Sequence, residues 1–192
     1  MSIQCQKITK LQTIARAICS DYRIKHILGV EKFIVRLARF YKLDEQSCRI
    51  MAWGHDLFRD LDGKVLLNMA SSLGYDFSEL EAKSPILLHG KLAALYMKRV
   101  FNIEGEVFKG IFWHASGYPE LPECAKALIV ADIAEESRRF PEAISIRENA
   151  FNDLEKTYVA VIRLKMNWAL NNNLFVLPET VDTWNRYCMG VF

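Results

Sequence analysis

The chain has 192 residues, 51% of them hydrophobic, with 25 Lys and Arg against 23 Asp and Glu for a net charge of +2. That length fits one domain, the apolar share supports a packed core and excludes wholesale disorder, and the even charge excludes a strongly basic nucleic-acid or membrane-surface protein. No apolar run approaches bilayer length, and the start of the chain lacks the unbroken apolar stretch of a signal peptide, so no membrane partner and a cytoplasmic address are expected.

Apolar residues recur at helical rather than alternating steps, so the fold class expected is all-α. An N-terminal helix is expected in 1–19. A second runs from Asp21 to Tyr41 on Ile24, Ile27, Phe33, Ile34, Leu37 and Phe40. Asp44 caps a third, which carries Ile50, Trp53 and Leu57. Gly63 and Gly74 bracket a shorter piece, and Ser84-Pro85 opens a helix reaching about Val100. Val107, Ile111 and His114 mark a helix that stops before Ser116, and Leu121-Pro122 opens another through Ala127–Ala131. One long amphipathic helix is expected after Pro141, with Ala150, Phe151, Leu154, Tyr158, Val161 and Ile162 inward and Lys156, Arg163 and Lys165 on a solvated face. Asn171-Asn172-Asn173 breaks the pattern, and a last helix begins near Pro178. The organisation expected is a single domain, its main body in 20–170 and a packed C-terminal extension in 171–192.

The five cysteines, at 5, 19, 48, 124 and 188, are odd in number and show no CxxC spacing. Reduced, mostly buried thiols are expected, not a disulfide framework or a thiolate zinc site. The four histidines and two aspartates form an ordered series: His26, His55-Asp56, His89, His114 and Asp132. A lone His-Asp pair is a weak signal, but here every histidine of a His-poor chain takes a place. Imidazole and carboxylate are ligands that iron, manganese, cobalt and zinc accept. The six side chains carry donors for two metal ions provided one carboxylate, most simply Asp56, bridges them.

The series sits in longer blocks: Arg23-Ile24-Lys25-His26-Ile27-Leu28-Gly29-Val30, Gly54-His55-Asp56-Leu57, Leu87-Leu88-His89-Gly90 with Ala93, 111–117, and 130–141. In these blocks, over about residues 20–165, the chain resembles the HD-domain metal-dependent phosphohydrolases. Among them it is similar to the YqeK family, which cleaves diadenosine tetraphosphate symmetrically to two ADP. The block from Val130 to Pro141 is the most specific, with Glu135 three and Arg138 six residues after Asp132.

The resemblance implies an HD helical bundle with a dinuclear metal site in its core. The implied ligands are His26, His55, Asp56, His89, His114 and Asp132, holding two divalent transition-metal ions, iron foremost, with manganese, cobalt or zinc as alternatives. It implies catalytic roles for Asp56, Arg59 and Arg138, and substrate contacts from Arg23, Arg59, Glu135 and Arg138. The implied partner is a dinucleoside polyphosphate with an ADP-like product; no nucleic-acid partner is expected, and the oligomeric state, homodimer included, stays open.

The chemistry accounts for these residue types. Phosphoanhydride hydrolysis at neutral pH needs an attacking hydroxide, and metal coordination lowers the pKa of water from about 15.7 toward ~7. Charge gathering on the departing diphosphate needs cations, for which Arg59 and Arg138 are the candidates. For the adenine, Trp53, Phe58, Trp113 and Tyr118 all flank the series without one standing out, and core packing is the default reading of each.

Three positions depart from the family. Arg59 stands where lysine is usual, which keeps positive charge but makes proton donation unsuited. Ala115 replaces a threonine after the fourth histidine, with Ser116 as a substitute hydroxyl. Glu136 replaces a proline, so the helix bearing Asp132 is free to run on and to present Arg139 in place of Arg138. These departures keep a second reading open, an HD hydrolase or phosphodiesterase acting on another nucleotide, and a third, a non-catalytic binding protein, against which the full ligand series argues.

Overall fold

The computed structural model describes residues 3–190, with side chains from Gln6 onward, so the Cys5 side chain lies outside the described residues. Among the described residues the secondary structure is entirely helical. Helix α1 (Ile3–Ile18) lays Ile8, Leu11 and Ala15 into the core. Helix α2 (Asp21–Tyr41) starts where the Ser20 side chain accepts the Arg23 N–H. Helix α3 (Glu45–Gly54) starts at Asp44, whose carboxylate accepts the Ser47 N–H at 2.8 Å.

Helix α3 stops at Gly54 and does not carry Leu57. Residues 55–60 form tight turns, with Leu57 N–H bonded to the Gly54 carbonyl and Arg59 N–H to that of Asp56. Helix α4 (Gly63–Leu73) is capped by Asp62, and α5 (Glu79–Lys83), which periodicity did not reveal, is nucleated by a capping box between Ser78 and Glu81. The helix expected from Ser84-Pro85 is two pieces: a 3-10 turn over Pro85–Leu88, then α6 (His89–Phe101). Helix α7 (Gly105–Trp113) ends at His114.

Helix α8 (Glu123–Ala134) buries Cys124, Ala125, Ala127, Leu128, Ile129, Val130, Ala131 and Ala134, so apart from Glu123, Lys126 and Asp132 it is apolar on every side, the mark of a central helix. It packs against α2, α3, α7, α9 (Pro141–Asn149) and α10 (Leu154–Asn171). The single long helix expected after Pro141 is therefore two. Its break falls at residues 150–153, where Asp153 takes the Lys156 N–H and restarts the chain as α10; local capping outweighed the continuous apolar stripe. Helix α11 (Pro178–Cys188) returns over the domain, with Thr180 Oγ donating to the Ser116 carbonyl at 2.7 Å.

Cys19, Cys48, Cys124 and Cys188 are unpaired; Cys48 and Cys124 are buried, Cys19 is half-buried and Cys188 is exposed. No described helix is long and apolar enough to cross a membrane.

Candidate metal centre

Five helices deliver the six residues to one place. His26 lies in α2, His55-Asp56 just past the end of α3, His89 at the start of α6, His114 at the end of α7 and Asp132 in α8. Asp56 divides the group. Its Oδ2 lies 3.7 Å from Nε2 of both His26 and His55, and its Oδ1 lies 3.2 Å from Nε2 of His89 and 3.6 Å from that of His114. Asp132 Oδ1 joins the first set, 3.1 Å from His26 Nε2 and 4.0 Å from His55 Nε2. Two donor sets capable of holding a metal ion thus share one carboxylate.

Ring orientation tests whether cations fit there. Nδ1 of His55, His89 and His114 lies 2.8, 2.6 and 2.8 Å from the carbonyls of Ala52, Ile86 and Ile111, each three residues back. A carbonyl only accepts, so each Nδ1 carries the hydrogen and each Nε2 turns a lone pair inward. His89 and His114 then face each other Nε2 to Nε2 at 3.0 Å, acceptor against acceptor, and Nε2 of His55 is buried with no hydrogen-bond partner. Only a proton or a metal cation reconciles such a set. Burial pulls His55 down to about 4 despite Asp56, and pulls His114 down as well, so the proton is the weaker candidate.

His26 differs, because its Nδ1 meets a carboxylate, Glu135 Oε1, at 3.2 Å. Burial opposes its charge, but the hydrogen bonds to Asp132 and Glu135 outweigh that and raise it to about 9. Burial likewise pushes Asp56 and Asp132 upward, yet the surrounding imidazoles hold both carboxyls well below the ordinary range.

Glu135 was expected in the substrate cleft. It stands behind His26 instead, 1% exposed, its carboxylate also held by the Ser137 N–H at 2.7 Å and the Ser137 hydroxyl. It reaches His26 across Gly29, where a Cβ would come within 2.5 Å of Glu135 Oε2. Gly90 makes similar room, since a Cβ there would lie 2.5 Å from His114 Cε1.

The centre opens into a cleft of about 800 Å³ lined by Arg23, Arg59, Arg138 and Lys165. Arg23 pairs with Asp56 Oδ2 and, at 3.2 Å, with Asp60. Arg138 lies 4.0 Å from Asp132 and 3.7 Å from Glu135. Despite Glu136 in place of proline, α8 ends at Ala134; Glu136 pairs outward with Lys32 and Arg36, and it is Arg138, not the exposed Arg139, that faces the centre. Ser116 supplies no substitute hydroxyl to the ligands, because its Oγ donates to the Gly117 carbonyl at 2.9 Å.

Core packing, the default expected of the flanking aromatics, holds for Trp53 and Phe58, whereas Lys165 departs from its expected place. Trp53 and Phe58 are core residues, and Trp113 stacks on Tyr118 with centroids 4.7 Å apart; none lines the cleft, whose aromatics are Tyr22, Trp168 and Phe175. Lys165 is not on a solvated face: it is half-buried, its Nζ donates to the carbonyls of His114 and Ala115 at 2.5 and 3.1 Å, and burial lowers it despite Asp132 and Asp56. The signal was available, because position 165 continues the buried stripe of Tyr158, Val161 and Ile162 at helical steps. Arg147, which ties down the carbonyls of Ala134, Glu135 and Arg138 at 2.5, 2.7 and 2.8 Å, carried no such signal.

The fold and the centre define a class: helical proteins that gather imidazoles and carboxylates for divalent metal from the ends of packed helices. The HD domain family matches residues 23–137, and the chain belongs to that family. It is similar to three proteins named bis(5'-nucleosyl)-tetraphosphatase, symmetrical. The one from Halalkalibacterium halodurans is 27% identical over 172 residues, 87% of this chain and 89% of the relative. That from Staphylococcus aureus is 25% identical over 185 residues, 94% of each, and that from Bacillus subtilis is 27% identical over 174 residues, 89% of this chain and 92% of the relative. A crystal structure described as a predicted HD superfamily hydrolase involved in NAD metabolism, from Clostridium acetobutylicum, matches with a TM-score of 0.89 and 26% identity over 95% of this chain and 97% of that one.

Proposed function

We propose that this protein hydrolyses symmetrical dinucleoside tetraphosphates, diadenosine tetraphosphate to two ADP, at a two-metal centre held by His26, His55, Asp56, His89, His114 and Asp132. The observation that carries the reading is the shared carboxylate: Asp56 presents one oxygen to each of two buried donor sets, at the head of a cleft lined with cations. Similarity to symmetrical tetraphosphatases along most of the chain supports the substrate.

Divalent ions bound there supply Lewis acidity, acidifying water and drawing charge from phosphoryl oxygens. The protein does the rest. The Ala52, Ile86 and Ile111 carbonyls and the Glu135 carboxylate hold the four imidazoles with Nε2 inward, which is the task of outer partners in such sites. Glu135 is thus a positioning residue for His26. Arg23, Arg59 and Arg138 bind the polyphosphate, and a guanidinium suits two phosphate oxygens at once. Lys165, its ammonium steadied by two carbonyls, adds a fixed positive charge to the same wall. The leaving group is a nucleoside diphosphate, stable as an anion, so Arg59 and Arg138 assist its departure by charge without giving a proton.

Iron is the metal proposed, as the family resemblance puts it first; the nitrogen and oxygen donors, without thiolate, accept manganese, cobalt and zinc as well. The four described cysteines, all unpaired, suit a reducing compartment, and we place the enzyme in the cytoplasm. The test is a nucleotide panel with product identification, run on protein of measured metal content. Close to two metal ions per chain and ADP as the sole product are expected, and His55→Ala or Asp56→Ala removes both metal and activity. Trace metal after growth in supplemented medium, or ATP plus AMP as products, overturns the reading.

A further inference from the structure

The cleft does not end at Arg138. A second cavity of about 820 Å³ lies beyond it, between α9 and α10. Ile133, Arg138, Lys165 and Trp168 line both, so the two cavities form one trough with these residues as its saddle. All the metal donors that line the trough, Asp56, His89, His114 and Asp132, lie in the first cavity.

A symmetrical tetraphosphate cut at its centre carries two phosphates and a nucleoside on each side of the donor cluster, so it needs two nucleoside seats. The second cavity has the size of a small-molecule site, about 300–1,000 Å³. It offers two exposed aromatic rings in one lining, Phe140 at 37% and Trp168 at 60%. Ser145 and Asn167 add hydrogen-bonding groups. At the saddle, the Arg138 side chain is 32% exposed and lies 3.7 Å from Glu135 and 4.0 Å from Asp132, beyond hydrogen-bond reach of either, and Lys165 stands in the same lining. A guanidinium held only by long ion pairs and a lysine on the ridge between two cavities are what an anionic chain crossing from one to the other would need.

We propose that the α9–α10 cavity seats the second nucleoside of the dinucleotide, its base against the Phe140 and Trp168 rings and its polyphosphate crossing between Arg138 and Lys165. The inference rests on the tetraphosphatase reading and adds that the chain selects dinucleotides over nucleotides with one base.

The test is calorimetric binding to the metal-loaded protein of two probes: the uncleavable β,β'-methylene analogue of diadenosine tetraphosphate, and adenosine 5'-tetraphosphate, which has a single base. Phe140→Ala and Ser145→Trp alter exposed residues that line the second cavity and not the first. Both variants are expected to weaken the two-base analogue about tenfold, the worth of one base stacked on an aromatic ring, and to shift adenosine tetraphosphate by about threefold or less. Analogue binding unchanged in both variants, or both probes weakened alike, overturns the inference. Wild-type protein that leaves diadenosine tetraphosphate intact removes the tetraphosphatase reading itself, whereas wild-type protein yielding only ADP beside indifferent variants removes the second seat alone.

Discussion

Gly29→Ala tests whether the metal centre depends on a carboxylate that never touches the metal. The added Cβ would stand 2.5 Å from Glu135 Oε2 and 3.1 Å from its Cδ. Both distances are well inside contact, and the carboxylate has no free space to retreat into, being 1% exposed and bound to Ser137 and His26. Relief requires Glu135 to swing off His26 Nδ1, which frees the imidazole to rotate and lowers its basicity. Losing an outer partner of a ligating histidine typically costs 10–100-fold in metal affinity. The overpacking adds about 1–2 kcal/mol of instability, or roughly 2–8 °C in Tm for a chain of this size. Metal affinity is read by competition against a chelator of known affinity and Tm by calorimetry on the metal-free protein. Glu135→Gln separates the causes, because it keeps the shape while removing the charge, so it should lose affinity without the steric loss of Tm. Gly29→Ala with wild-type metal affinity and an unchanged Tm would refute the reasoning, since Glu135 would then have moved without His26 noticing.

Three other outcomes are expected. Lys165→Met should lower kcat/KM for diadenosine tetraphosphate at least tenfold with metal content retained, and a loss within about twofold would return Lys165 to a packing role. Metal loading should raise Tm, because binding to the folded state at 100 times Kd adds about 2.7 kcal/mol per site; a chelator that leaves Tm unchanged would contradict the centre. Glu81, salt-bridged to Lys91 at 2.8 Å, has burial pushing its carboxyl up but the Lys91 hydrogen bond prevailing, so its folded value lies below the ordinary 4.5. Its stabilisation is therefore fully present above 4.5 and lost as pH falls through the lower folded value. In urea melts the advantage of wild type over Glu81→Gln should be constant near neutrality and shrink in acid, and an advantage that persists undiminished at about pH 2 would refute the sign.

Much was settled by the sequence alone, because it rests on neighbours in the chain. The helical period of Ile27, Phe33, Ile34 and Leu37, the cap at Asp44, the helix start at Pro178, and the order of four histidines and two aspartates are all readable within a few residues. Even the tautomers of His55, His89 and His114 are local, each set by a carbonyl three residues back. The fold decided what depends on distant segments. Asp56 divides its two oxygens between histidines from four elements, Glu135 backs His26 across 109 residues, and Lys165 turns from an apparent surface lysine into a wall of the cleft by bonding to His114 and Ala115. Trp53 and Trp168 part company for the same reason, the first sealed in the core and the second standing over the trough. Periodicity says which face of a helix is apolar, but whether that face meets protein, water or a ligand is fixed only when helices far apart in the chain pack together.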